Sequence, residues 1–240
     1  VLLMKGKGLD GNVSETDPQL TGVEPLNPEA TTVSAQKSAK AIREFINKSK
    51  ELLKHRETAN MILLRGISQL PNLPEFGERY KLNPAAIAAY PMYRGLAKLV
   101  GMRVIPTGTT FDDELDTLKT HWDEHDFFFL HYKPADAAGE DGDFNAKVSK
   151  LEELDNLIPK LRSLNPDVLV VAGDHSTPAI LASHSWHPVP LLVNSTVSRG
   201  DGQNAFSERE FSQGSLGRMQ ATEVMLLSLA HAGKLIKFGP

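Results

Sequence analysis

An α/β fold, a mostly parallel sheet flanked by helices, is what this 240-residue sequence predicts. Three observations carry that expectation. From about residue 84 onward, short apolar runs alternate with helical patterns, the signature of parallel strands joined by crossover helices. Two of those runs, Phe127-Phe128-Phe129-Leu130 and Val168-Leu169-Val170-Val171-Ala172, are apolar throughout, as strands covered on both faces are. Each run empties into carboxylates and imidazoles at its C-terminal end, where open parallel sheets place their ligands.

Taken in order, residues 1–34 are rich in Gly and Pro and read as loop. Residues 35–56 carry Ala41, Ile42, Phe45, Ile46, Leu52 and Leu53 at helical spacing, which predicts a long helix. Met61 to Leu64 reads as a strand, and 67–83, with Pro71, Pro74 and Gly77, as a loop. Pro84 to Val100 reads as a helix broken or kinked at Pro91. Then follow a strand at 103–105, a helix at 111–123, a strand at 127–130, an amphipathic helix at 144–163, strands at 168–172 and 190–193, and a last helix at 216–232.

Composition narrows the function classes. Apolar residues are 40% and charged residues 23% of the chain, ordinary globular usage. A net charge of −4 gives no basic footprint for nucleic acid. No cysteine is present, which rules out disulfides and thiolate-bound metal. No apolar stretch reaches transmembrane length.

The chemistry concentrates after the two apolar strands. Asp174, His175 and, nine residues on, His184 form an oxygen and nitrogen donor set suited to a borderline divalent cation such as Zn or Mn. The same residues also fit a helix N-cap, with Asp174 or Ser176 preceding a helix near Pro178. After the other strand, Asp136, Glu140, Asp141 and Asp143 fall within eight positions. They read either as a second half of the same site or as a solvated acidic turn shaped by Gly139 and Gly142.

At this point the residues resemble a family. Asp136-Ala137-Ala138-Gly139-Glu140-Asp141-Gly142-Asp143, Gly173-Asp174-His175-Ser176-Thr177-Pro178 and Ser183-His184-Ser185 look like the archaeal-type, cofactor-independent (2,3-bisphosphoglycerate-independent) phosphoglycerate mutases of the alkaline phosphatase superfamily. Thr16-Asp17-Pro18, Leu64-Arg65-Gly66, Gly95-Leu96-Ala97-Lys98 and Lys237-Phe238-Gly239 agree with it. Two departures stand out. Glu140 occupies a position where the family usually has His, and no residue matches the family's first metal-binding Asp or its nucleophilic Ser. The chain is therefore expected to be the C-terminal part of a longer protein.

The resemblance implies an alkaline-phosphatase-like sheet over 84–240 and part of a smaller, substrate-gripping inserted domain over 1–83, which closes over the metal domain. It implies two divalent cations, Mn first, with Mg, Zn or Co as alternatives. Asp136, Glu140 and His184 would hold one, and Asp174 and His175 the other. Asp17 would move protons at the substrate hydroxyls. Arg65 and Arg94 would bind the phosphate and carboxylate of phosphoglycerate, and Lys133, just after the strand and before Asp136, is placed to reach the same substrate. Taken as residues alone, Arg65 also reads as a surface side chain and Asp17 as part of an Asp-Pro turn. The resemblance further implies a cytoplasmic enzyme that binds neither nucleic acid nor membrane, and it leaves the oligomeric state open. A phosphatase or other phosphotransferase on the same scaffold, and an inactive fragment or divergent homologue, are the rival expectations.

Overall fold

Alanine builds the central strand. The computed structural model describes residues 1–200 and 204–235, so the Lys237-Phe238-Gly239 stretch lies outside the described residues. The chain forms two compact units, Val1–Asn72 and Leu73–Pro240.

In the first unit, helix α1 (Gln36–Leu53) turns Ala39, Ile42 and Ile46 inward, positions spaced for one helical face. They pack with Val13 and Ala35, and half-buried Met61, Leu64 and Ile67 cover them. Met61 to Leu64 forms no ladder, contrary to the sequence expectation. Its backbone is satisfied instead by one buried residue. Thr16, 1% exposed, takes the Leu64 N–H on its hydroxyl at 2.7 Å and donates its own N–H to the Leu64 carbonyl at 3.0 Å.

The second unit opens with α2 (Phe76–Tyr80), inside a stretch read from the sequence as loop. The Phe76 ring lies 5.0 Å from that of Phe127, and its N–H donates to the Val100 carbonyl at 2.8 Å. Residues 73–83 thus belong with the second unit rather than with residues 1–72.

Strand β1 (Pro84–Ala88) is buried along its whole length, with Ala85, Ala86, Ile87 and Ala88 at 0% exposure. The expected helix over 84–100 is therefore a strand followed by α3 (Pro91–Leu99). Ala-rich sequence favours helix by propensity, but small side chains also let neighbours close over both faces of a central strand, and that burial decides here. Pro84 begins the strand, where its missing N–H breaks no ladder.

Strand β2 (Arg103–Val104) and, after α4 (Phe111–Thr120), strand β3 (Phe127–His131) flank β1 in parallel, in the order β2-β1-β3. Thr110 and Asp113 form a capping box at the start of α4, so the Thr107–Thr110 segment serves that helix. Ile87, Ile105, Leu115, Leu118 and Leu161 form the core, with Phe128, Leu130 and Trp122 against them. The Trp122 and Phe128 rings stack 5.6 Å apart.

The stretch after β3 is not a loop at its start. Pro134 opens α5 (Pro134–Glu140), at the helix position where its lost N–H costs nothing. Gly142, at φ 71°, makes the turn into α6 (Phe144–Arg162). Strand β4 (Val168–Ala172) pairs with β5 (Leu191–Ser195), and this pairing is antiparallel. Both pairings of the first sheet are parallel. Helices α7 (Glu208–Phe211) and α8 (Val224–His231) follow; α8 is shorter than the helix expected over 216–232, part of which is a 3-10 turn at Ala221–Glu223.

Candidate metal centre

Three strand ends supply the centre. After β3, α5 carries Asp136 in its first turn and Glu140 one turn later, spacing that puts both carboxylates on one helical face. After β4 come Asp174 and His175. The chain then doubles back, and the Ser185 N–H donates to the Ser176 carbonyl at 2.9 Å. That closure brings the His184 ring to 3.8 Å from the His175 ring. After β1, the first turn of α3 presents Tyr93, whose hydroxyl donates to Asp174 Oδ2.

The expected ligands converge. Donor atoms of Asp136, His175 and His184 all lie within 4.8 Å of one another. Asp136 Oδ1 is 3.9 Å from both His175 Nδ1 and His184 Nε2. Glu140 Oε1 is 3.2 Å from His184 Nε2, and Asp174 Oδ2 is 3.6 Å from His175 Nε2. Lys133, at the start of α5, donates to Asp136 Oδ2 and lies 3.5 Å from Glu140 Oε2. It also sits over the Tyr90 ring, 5.6 Å from its centre.

The electrostatics keep Asp136 and Asp174 charged. Burial alone would push the Asp136 carboxyl up, but hydrogen bonds from Lys133 and Thr177 outweigh it and hold the group below its ordinary range. Asp174 behaves alike, with burial opposed chiefly by the Tyr93 hydroxyl. Tyr93 is pushed above the ordinary tyrosine range by burial and then by Asp174, so it stays a donor. Lys133 is raised: the partial burial that would lower it is outweighed by Asp136. Three carboxylates here face one ammonium, an imbalance that a bound cation offsets. Carboxylate oxygens with imidazole nitrogens are the donors that borderline divalent metals take, so the residues fit such an ion.

The remaining expected residues lie elsewhere. Arg94 follows Tyr93 on α3 and, among the described residues, takes no part in the ion pairs of the centre. Asp17 and Arg65 belong to the first unit, where Arg65 Nε stands 3.7 Å from Asp17 Oδ2. Asp17 Oδ1 also accepts the Gln19 N–H at 2.8 Å, closing the turn that Asp-Pro suggested. His131 stacks on Tyr93 at 3.6 Å, and burial lowers its pKa.

Two residues of the centre escaped the sequence reading. Tyr93 and Thr177 are neutral, and neither has a ligand's signature. Thr177 had one available signal, its place two residues beyond His175.

A family model described as the Metalloenzyme superfamily matches residues 27–231, and the chain belongs to that superfamily. Among named relatives, it is 51% identical over 239 residues to a probable 2,3-bisphosphoglycerate-independent phosphoglycerate mutase of Thermotoga petrophila, and 47% identical over 242 residues to one of Thermus thermophilus. Each match covers 100% of this chain and 60% of the relative, so the chain spans about 60% of the length of these relatives. The solved PH0037 protein from Pyrococcus horikoshii superposes with a TM-score of 0.75 at 29% identity, over 87% of this chain and 60% of that one. A cofactor-independent phosphoglycerate mutase from Thermoplasma acidophilum shares the fold, with a TM-score of 0.62 at 22% identity, over 95% of this chain and 61% of that one. The alkaline-phosphatase-like α/β fold expected from the sequence is the fold these neighbours carry.

Proposed function

We propose that this chain belongs to a phosphoglycerate mutase that interconverts 3-phosphoglycerate and 2-phosphoglycerate through a phosphoserine at a two-metal centre. The observation that carries the proposal is the meeting of Asp136, His175 and His184 within 4.8 Å at the strand ends, in a chain about half identical to proteins named for that activity.

Asp136, Glu140 and His184 would hold one divalent cation, and Asp174 and His175 the other. Mn is the first candidate, with Mg, Zn or Co as the others. Bound there, such ions lower the pKa of a serine hydroxyl and neutralise charge on a transferring phosphoryl group. The nucleophilic serine is expected outside these 240 residues.

The chain's own residues have distinct tasks. Lys133 gives its ammonium to the phosphoryl oxygens or the substrate carboxylate, exchanging its pairing with Asp136 for them. Arg94, on the helix that carries Tyr93, supplies a second anion contact. In the first unit, Arg65 holds an anionic end of substrate bidentately. Asp17, paired with Arg65, takes a proton from one glycerate hydroxyl and returns one to the other. Such an enzyme acts on a small phosphorylated metabolite of central carbon metabolism, in the cytoplasm.

The test is an assay of the full-length protein for 3- to 2-phosphoglycerate conversion alongside phosphate release, with elemental analysis of the purified protein. Conversion without net phosphate release, with divalent metal present, is the expected result. Phosphate release without conversion would make the protein a phosphatase, the reading that Glu140 in the family's histidine position favours. Absence of both activities and of metal would leave a non-catalytic homologue.

A further inference from the structure

Thr177 stands between the two halves of the centre and is 4% exposed. Its Oγ1 lies 2.5 Å from Asp136 Oδ1 and 3.0 Å from His175 Nδ1. A threonine hydroxyl has one hydrogen to give and lone pairs to accept with. The Asp136 carboxylate can only accept, so the Thr177 O–H donates to Asp136. The same oxygen then accepts from His175, which puts the imidazole proton on Nδ1 and leaves the Nε2 lone pair free. Nε2 lies 3.6 Å from Asp174 Oδ2.

We infer that Thr177 is a positioning residue that fixes the His175 tautomer, so that Nε2 and not Nδ1 is the donor to a cation, and that it links His175 to Asp136 through one hydroxyl. The inference rests on the metal centre proposed for this chain. It would account for the proposed pairing of His175 with Asp174 although its Nδ1 lies 3.9 Å from Asp136. Histidine ligands commonly give their second N–H to a fixed acceptor, and here the acceptor is itself locked. The Thr177 carbonyl accepts from Lys147 Nζ at 2.5 Å. A Cβ at Gly139 would collide with that carbonyl, so backbone meets backbone there.

The experiment uses the full-length protein as wild type, Thr177→Val and Thr177→Ser. Long-range proton–nitrogen NMR of the metal-free protein reads the His175 tautomer, and calorimetric titration with Mn and with Zn reads affinity. Expected are an Nδ1–H imidazole in wild type and in Thr177→Ser, and an appearance of the Nε2–H form in Thr177→Val. Affinity at one of the sites falls about 10- to 100-fold in Thr177→Val and recovers in Thr177→Ser. An Nε2–H imidazole in the wild type overturns the inference, and it does so even if Thr177→Val does not fold. Equal affinities in wild type and Thr177→Val also overturn it. Failure of wild type to bind either metal overturns the metal centre instead, and the tautomer measurement still decides the role of Thr177.

Discussion

Two carboxylates sit at the C-terminal ends of neighbouring strands, and their surroundings push them in opposite directions. Glu114, on α4, is 1% exposed and is met by the Ala89 N–H at 2.8 Å, just past β1, and by the His131 N–H at 3.4 Å, at the end of β3. Burial raises its pKa to about 7 against those two amides. Asp136 has an ammonium, a hydroxyl and two imidazoles around it and is held low. Burial alone therefore does not make a ligand. The partners decide: backbone amides pin two strand ends together with Glu114, whereas Asp136 is met by groups that could give up or exchange their contact for a cation.

The comparison breaks most sharply at Asp136. Asp136→Ala should reduce Mn or Zn affinity by more than about 100-fold, beyond what outer contacts supply, as read by calorimetry on the full-length protein. Retained affinity would mean that Asp136 is no more a ligand than Glu114 is.

Glu114 gives the opposite signature. Glu114→Ala leaves two buried amides without an acceptor and should cost about 2–4 kcal/mol of stability, read by urea unfolding. Its charge also has a pH signature. Below about pH 4.5 the carboxyl is protonated in both folded and unfolded chains. Between there and about pH 7 only the unfolded chain ionises, so this group's contribution is lost as pH rises through about 7. Relative to Glu114→Gln, which cannot ionise, wild type should lose roughly 3 kcal/mol across that window. Parallel pH profiles for the two proteins would contradict the raised pKa.

Glu140 tests whether ligand type can vary while position stays fixed. Glu140→Ala should weaken metal affinity about 10-fold or more, whereas Glu140→His should keep it and shift preference toward Zn or Co, since imidazole is the softer donor. Equal Mn and Zn affinities in wild type and both variants would remove Glu140 from the centre.

The smallest effect is expected at Tyr93. Tyr93→Phe keeps the ring stacked on His131 and removes only the hydroxyl that reaches Asp174. Metal affinity should fall about 10-fold, the low end for an outer contact, with apoprotein stability nearly unchanged. A loss of stability without a loss of affinity would class Tyr93 with Glu114, as a structural pin.

Much of this was legible in the chain. Strands β3 and β4 declared themselves as unbroken apolar runs, and α6 by its periodicity. Asp136 stood beyond the end of a parallel strand, where such sheets place ligands, whereas Asp174, His175 and His184 follow β4, whose pairing is antiparallel, and were marked by their donor types and by the family resemblance. What stayed hidden has physical reasons. The Ala-rich run of β1 carries a helical propensity that only its neighbours override. The acidic stretch after β3 looked like a turn because Gly139 signals one, yet Gly139 lies inside α5, and its missing side chain serves packing against Thr177. The antiparallel sense of β5 has no local signature at all. Tyr93 and Thr177 reach Asp174 and Asp136 through single hydroxyls, which pattern and charge do not distinguish from the many hydroxyls that only face water.

The contact between Gly139 and the Thr177 carbonyl has a further consequence, for how such a centre can change over generations. At this point the α5 main chain lies against the main chain of Thr177, with no room between them for a side chain at Gly139. Even the smallest addition at Gly139, a methyl group, forces the backbone to move. Glycine at 139 is thus a constrained trait, while the more open Glu140, were it a ligand, would be a free one. If the centre binds a cation, exchange at Glu140 could retune which ion is preferred one residue at a time, whereas any side chain at Gly139 would demand a backbone shift first.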